Sequence, residues 1–160
     1  MSLSILSFDL KNNLSNRLKF GAYYEEILLK LLDENNLNFK NISNENPMYW
    51  YDFLRNDTKI PVILELKSII NTTNENIYLV SYHKIQKYKK LLKKRPRTRF
   101  FYIYNQVVSQ EEYEFFYHEI DIEKINNDEY FITTLPNNSK YYEIPKREFN
   151  TLIDNLEILN

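Results

Sequence analysis

No cysteine occurs in the 160 residues, which removes disulfides, thiolate zinc sites and cysteine nucleophiles together. Histidine is nearly as scarce. His83 and His118 are the only two, too few and too far apart in sequence to point to a zinc site or a catalytic triad. The single glycine, Gly21, falls within a helical stretch, where it costs about 1 kcal/mol relative to alanine. Close approach of a neighbour would justify that cost. No apolar run is long enough to span a bilayer, and the segment Ser2 to Leu10 has neither the basic start nor the length of a signal peptide. No membrane association and an intracellular setting, cytoplasmic or nuclear, are therefore expected. There is also no charge surplus. With 21 basic and 22 acidic residues the net charge is −1, so a nucleic-acid partner has to be argued from local patches.

What is present is core material. At 43% hydrophobic and 16% aromatic residues, the chain can bury one sizeable core, and its length suits a single domain. The excess of Asn, Lys, Ile and Tyr reads as compositional bias and carries no function.

The first helix is expected from Ser15 or Asn16, either a fair N-cap, to Asn36, with Leu18, Ala22, Leu28, Leu29 and Leu32 on one side. Glu25 lies in that apolar sector and so faces the core. A short edge strand is expected within Asn38 to Ile42 and a polar turn at residues 71–76. A third strand then spans Ile77 to Ser81, followed by a second helix from Tyr82 to Lys94 that buries Ile85, Tyr88, Leu91 and Leu92 and stops ahead of Pro96. Arg99 to Tyr104 reads as a strand covered on both faces. Helix, three strands, helix and strand thus make an α/β core over about residues 15–105. An extension over about 106–160 adds strands at Glu112 to Ile120, Asp128 to Leu135 and Tyr141 to Ile144, a turn at Asn137 to Ser139, and a last helix from Pro145 to about Leu159 that buries Phe149, Leu152, Ile153 and Leu156.

The stretch Tyr49 to Ser68 stands out because it sets charges where a buried strand should be apolar. Ile60 to Leu66 is the most β-prone run, and a turn centred on Asp57 and Thr58 would pair it with the residues before it. That register sets Asp52 opposite Ile63, on the face that carries Glu65 and Lys67, while Leu64 and Leu66 take the other face. Two acids and a lysine converge. Neighbouring carboxylates repel and are costly to desolvate unless a cation lies between them, and a hard divalent ion with oxygen ligands is the usual solution.

Acid, any residue, lysine occurs three times, at Asp9-Leu-Lys11, Asp57-Thr-Lys59 and Glu65-Leu-Lys67. Only the third ends an apolar strand and follows both an acid on the partner strand and a helix with an inward glutamate. In this the chain resembles the PD-(D/E)XK nuclease superfamily, whose motif is matched by Asp52, Glu65, Leu66 and Lys67, with Ser68 following. The order of elements over residues 15–105 is similar to that family's α-β-β-β-α-β core, a mixed sheet flanked by helices as in restriction endonucleases and Holliday-junction resolvases. Tyr51 stands where the motif names proline, and Gln86-Lys-Tyr88 does not reproduce the Gln-x-x-x-Tyr element of RecB-like members. The resemblance implies a phosphodiester hydrolase acting most readily on DNA. Asp52, Glu65 and the Leu66 carbonyl would hold Mg²⁺ or Mn²⁺, Lys67 would orient or deprotonate water, and Glu25 would position a second ion or its waters. The rival readings are a catalytically silent module of the same fold that binds nucleic acid or protein, and an RNA endonuclease on the same core.

One tract is strongly basic. Lys84, Lys87, Lys89, Lys90, Lys93, Lys94, Arg95, Arg97 and Arg99 follow one another with no intervening acid. Such a run is either a solvated helix face or a phosphate track, and as a track it offers Lys84, Gln86, Lys87, Lys90 and Lys94 to nucleic acid. His83 reads as a strand-end residue, and Trp50 and Tyr51 as core or cleft wall. A symmetric homodimer would suit junction or duplex cutting, though nothing in the sequence demands one.

Overall fold

The computed structural model describes residues 14–46, 49–70 and 76–160, with side chains from residue 18 onward. The Asp9-Leu-Lys11 motif, the N-cap side chains of Ser15 and Asn16, and all but the last residue of the 71–76 turn lie outside the described residues.

Helix α1 spans Leu14–Glu34. Its buried row is Phe20, Tyr24, Leu28 and Leu32, at four-residue spacing, while Leu18 is 66% exposed and Ala22 also faces out. The expected apolar side is therefore corrected at its N-terminal half. Aromatic rings bury more area than Leu18 or Ala22 can, and Phe20 and Tyr24 meet edge to face, with centroids 5.2 Å apart. The helix ends in a left-handed residue, Asn36 (φ 60°). There the Leu37 N–H donates to the Leu32 carbonyl at 2.9 Å and the Asn36 N–H to the Asp33 carbonyl at 3.1 Å, a paired arrangement that satisfies the last free carbonyls.

Among the described residues Gly21 has no close neighbour: a Cβ built there meets nothing within 4 Å. The expected close approach is not found among them, and there the glycine is a plain helix-propensity cost. Gly21→Ala is expected to stabilise the fold by about 1 kcal/mol and raise Tm by about 3 °C in a thermal melt. A lowered Tm would contradict this reading.

The main sheet is mixed, with six strands among the described residues in the order β1-β2-β3-β5-β6-β9. They are β1 (Lys40–Asn41), β2 (Phe53–Arg55), β3 (Val62–Ile70), β5 (Arg99–Val107), β6 (Tyr113–Glu119) and β9 (Asn150–Thr151). Between β1 and β2 lies a one-turn helix α2, Ile42–Glu45, capped by the Asn41 side chain. Strands β3 and β5 are parallel, and the chain between them holds β4 (Ile77–Ser81) and α3 (Tyr82–Lys94).

The β2–β3 register differs from expectation. Leu54, not Asp52, lies opposite Ile63, and Arg55 lies opposite Val62. The turn is longer than a tight hairpin: Arg55 Nε donates to Asp57 Oδ1 at 2.9 Å and Thr58 Oγ1 to the Ile60 carbonyl at 2.8 Å, so the loop is held by its own polar groups. A slip of two residues preserves the face; the ladder ends at Phe53 opposite Leu64, and the Asp52 side chain just before it lies within reach of Glu65.

A larger correction concerns β4. Its bounds match the sequence reading, but it leaves the main sheet and pairs with β8 (Lys140–Pro145), which pairs in turn with β7 (Phe131–Thr134), giving a second sheet ordered β4-β8-β7. The three strands preceding α3 in the main sheet are thus β1, β2 and β3. The expected C-terminal helix is also absent. In its place β9 is flanked by 3₁₀ turns at Lys146–Glu148 and Ile153–Leu159. Pairing of Asn150 with Tyr117 and of Thr151 with Phe116 extends the backbone, which sends Phe149 and Leu152 to opposite sides of the sheet and leaves Ile153 63% exposed. The link after β6 forms a short helix, α4 (Ile122–Asn126), with Asp121 as its cap.

Each face of the main sheet carries its own core. Leu64, Leu66, Phe101 and Ile103 pack beneath α1, while Ile63, Phe100, Tyr102 and Tyr104 pack against α3 and the second sheet. Strand alternation makes this division, and it assigns Glu65 and Lys67 to the side of α3 and β4.

Candidate functional site

Three acids from three elements meet at the β2–β3 edge of the main sheet. Asp52 immediately precedes β2, and its position is fixed through its backbone: its N–H donates to the Leu64 carbonyl at 3.0 Å, and its carbonyl accepts from Ile42 N–H at 2.7 Å and Ser43 N–H at 3.3 Å. Its carboxylate accepts from the Leu66 N–H at 2.9 Å. Glu65 comes from the middle of β3 and is 6% exposed. Glu25 reaches the same edge from α1 on the other side of the sheet, and Ser43 Oγ donates to its Oε2 at 3.0 Å. It is half-buried, an edge residue more than a core-facing one.

The Lys84 ammonium, expected on a phosphate track, instead forms an ion pair with Glu65 Oε1. Local structure explains the aim. Ser81 caps α3, its Oγ accepting from the Lys84 N–H at 3.3 Å, and the Ser81 N–H donates to the Tyr102 hydroxyl at 3.3 Å. The first turn of the helix is therefore anchored to β5 beside Glu65. The other carboxylate oxygen, Glu65 Oε2, is buried and takes no donor among the described residues.

Burial pushes the Glu65 carboxyl up to about 8, and the Asp52 charge adds to the effect, outweighing Lys84 and Lys67, which pull the other way. Asp52 is raised chiefly by burial, against the Leu66 N–H and Lys84. Glu25 is raised by burial and then by the Asp52 charge, with Ser43 and Asn41 opposing. All three shifts have one origin, since negative charge is crowded into a space with little water. Asp52 lies within side-chain hydrogen-bonding reach of both Glu25 and Glu65, yet among the described residues no group of three or more acidic or histidine side chains is disposed as it stands to hold a metal ion. As a donor set for a hard cation, Asp52 and Glu65 are adjacent, and the Leu66 backbone joins them.

Lys67 is exposed on the Glu65 face, at the mouth of a cavity of about 420 Å³ that Glu65, Lys84 and Tyr102 also line. Lys87, Lys90 and Lys94 fall with His83 on one solvent stripe of α3, and all four are exposed. His83 thus belongs to the helix and not to the end of β4. Gln86 lies on the flank of α3 opposite Lys84 and does not share its site. The Trp50 ring meets Tyr51 and Phe100 edge to face at 4.8 and 5.5 Å, which makes it packing for the segment that carries Asp52. His118, remote from the acids, holds its Nδ1 3.1 Å from the Glu148 carbonyl, and burial lowers its pKa.

Sequence reasoning missed Ser43, Asn41 and Tyr102. The first two lie in a polar stretch with no periodicity to mark them. Tyr102 had a usable signal: it occupies the same-face position of the neighbouring parallel strand, opposite Glu65. The sequence matches no protein-family model and no curated protein.

Proposed function

We propose that the protein is a metal-dependent nuclease of the PD-(D/E)XK type, hydrolysing phosphodiester bonds, with DNA as the favoured substrate. The observation that carries this reading is Glu65: a buried carboxylate with one oxygen that takes no donor among the described residues, crowded against Asp52, a second raised acid, and paired with Lys84. Leaving such a group in a fold is costly. The cost has a purpose if a cation binds there. The residues fit Mg²⁺ or Mn²⁺, because every candidate donor is an oxygen and the local charge is in deficit of cations. Asp52, Glu65 and the Leu66 carbonyl would hold the ion, with Glu25 behind Asp52. When bound, the ion would supply Lewis-acid activation of water and charge neutralisation.

Setting aside the one-turn α2 between β1 and β2 and the diversion of β4 to the second sheet, the order α1, β1, β2, β3, α3, β5 supports an α-β-β-β-α-β core of that kind. Lys67, exposed beside the cavity, would take the proton of the attacking water or offset charge on the scissile phosphate. The exposed Lys87, Lys90 and Lys94 stripe would hold the backbone of the nucleic acid. DNA is preferred over RNA because cap-snatching RNA endonucleases usually add a histidine ligand in the first helix, and none precedes His83.

One observation favours the rival reading of a silent binding module: Lys84 already neutralises Glu65. Activity decides between them. Cleavage assays on duplex, single-stranded and branched DNA and on RNA are expected to show metal-dependent hydrolysis, and Lys67→Ala should lower it about 10²- to 10³-fold while leaving metal binding intact. Equal cleavage by the variant would remove Lys67 from the mechanism. No cleavage of any substrate by folded wild type would leave the silent module.

A further inference from the structure

The cavity beside Glu65 runs along β3 away from the acids, lined in succession by Glu65, Lys67 and Ile69, which share a face at two-residue spacing. At about 3.3 Å per residue that is a path of about 13 Å. The second sheet contributes Tyr78 from β4 and Tyr141 from β8 to its wall, and β5 contributes Tyr104; Tyr78 and Tyr104 stack on each other with centroids 4.1 Å apart, which leaves Tyr141 as the aromatic face for a ligand. Its charged lining is one acid, Glu65, against three lysines, Lys67, Lys84 and Lys146. Since Lys84 is engaged with Glu65, two ammonium groups remain for an anion. Lys146 is held over the Tyr78 ring, 4.9 Å from its centroid, which places positive charge on an aromatic wall.

Lysines beside an available tyrosine face, here Lys67 and Lys146 with Tyr141, are the chemistry that holds a phosphate and stacks a base. A cavity of about 420 Å³ lies in the range that encloses a small organic ligand, which suits one nucleotide. A base stacked and paired within a duplex does not reach into such a pocket unless it is flipped out. We infer that this cavity is a subsite for an unpaired nucleotide next to the scissile phosphate, so that the substrate is a single strand or a single-stranded end. The inference rests on the nuclease reading of the adjoining acids.

The test is binding and then cleavage with the full chain. A short single-stranded DNA carrying a fluorescent base analogue, and the same sequence locked in a blunt hairpin, are titrated in Ca²⁺. The single strand is expected to bind at least about tenfold more tightly, with the base signal quenched. Tyr141→Ala and, as a variant that removes only a charge, Lys146→Gln should each weaken single-strand binding about five- to tenfold while leaving Mn²⁺ binding by calorimetry unchanged. Duplex binding as tight as single-strand binding, or both variants binding like wild type, overturns the subsite. Those results together with intact metal-dependent cleavage of duplex would leave the nuclease reading standing. Absence of both metal binding and cleavage removes that reading and the subsite together.

Discussion

Glu65→Gln is expected to abolish metal-dependent cleavage, by at least about 10³-fold, and at the same time to stabilise the metal-free protein at pH 8 by about 3 kcal/mol. The two effects share a cause. Burial and the Asp52 charge raise the carboxyl from an ordinary 4.5 to about 8 in the folded chain. Between those values the folded state therefore holds a proton that the unfolded state has lost, so stability falls as pH rises through the window and levels off above 8. Each pKa unit corresponds to about 1.4 kcal/mol, which sets a ceiling of about 5 kcal/mol on the loss. Glutamine has the shape of the acid and no charge to desolvate, and the half-exposed Lys84 can turn to water. Denaturant melts of metal-free wild type at pH 5 and pH 8 should show the decline, and the variant should flatten it. A variant less stable than wild type at pH 8 would mean that the Lys84 ion pair outweighs the burial of the acid.

Phe100→Ala should destabilise the fold by about 3–5 kcal/mol. Phe100 is fully buried on β5, and its ring contacts Trp50 at 5.5 Å and Tyr88 of α3 at 5.2 Å, both edge to face. Removing it opens a cavity between the sheet, the helix that carries Lys84 and the segment that carries Asp52. Weakened metal affinity should therefore accompany the lost stability, because both supports of the site loosen. Urea melts with Tm measurements and a Mn²⁺ titration of the variant below its transition check both parts. A loss under about 1 kcal/mol would show that the three elements repack without the ring.

Much of this arrangement was legible in residue order, and the reasons differ by element. Helix α3 and strand β4 have the bounds the sequence predicted, because Ser81 caps the helix, Pro96 stops it and Ile77 to Ser81 is a short β-prone run. The shared face of Asp52 and Glu65 survived a wrong register because the slip was an even number of residues. Which sheet β4 joins was not legible, since partner choice depends on β8, more than sixty residues later. The C-terminal segment misled because Phe149, Leu152, Ile153 and Leu156 have helical spacing, yet edge pairing with β6 outweighed local preference. Along the sequence Lys84 is one member of a charge run. Its contact with Glu65 is a tertiary fact that spacing along α3 does not reveal.

The most direct measurement is calorimetric titration of Mg²⁺ and Mn²⁺ into wild type, Asp52→Asn and Glu65→Gln, each confirmed folded and each repeated with a single-stranded DNA present. Saturable binding by wild type that disappears in both variants is expected. No binding by folded wild type with or without DNA, or identical isotherms for all three proteins, would contradict the proposal that these acids form a metal-dependent nuclease centre.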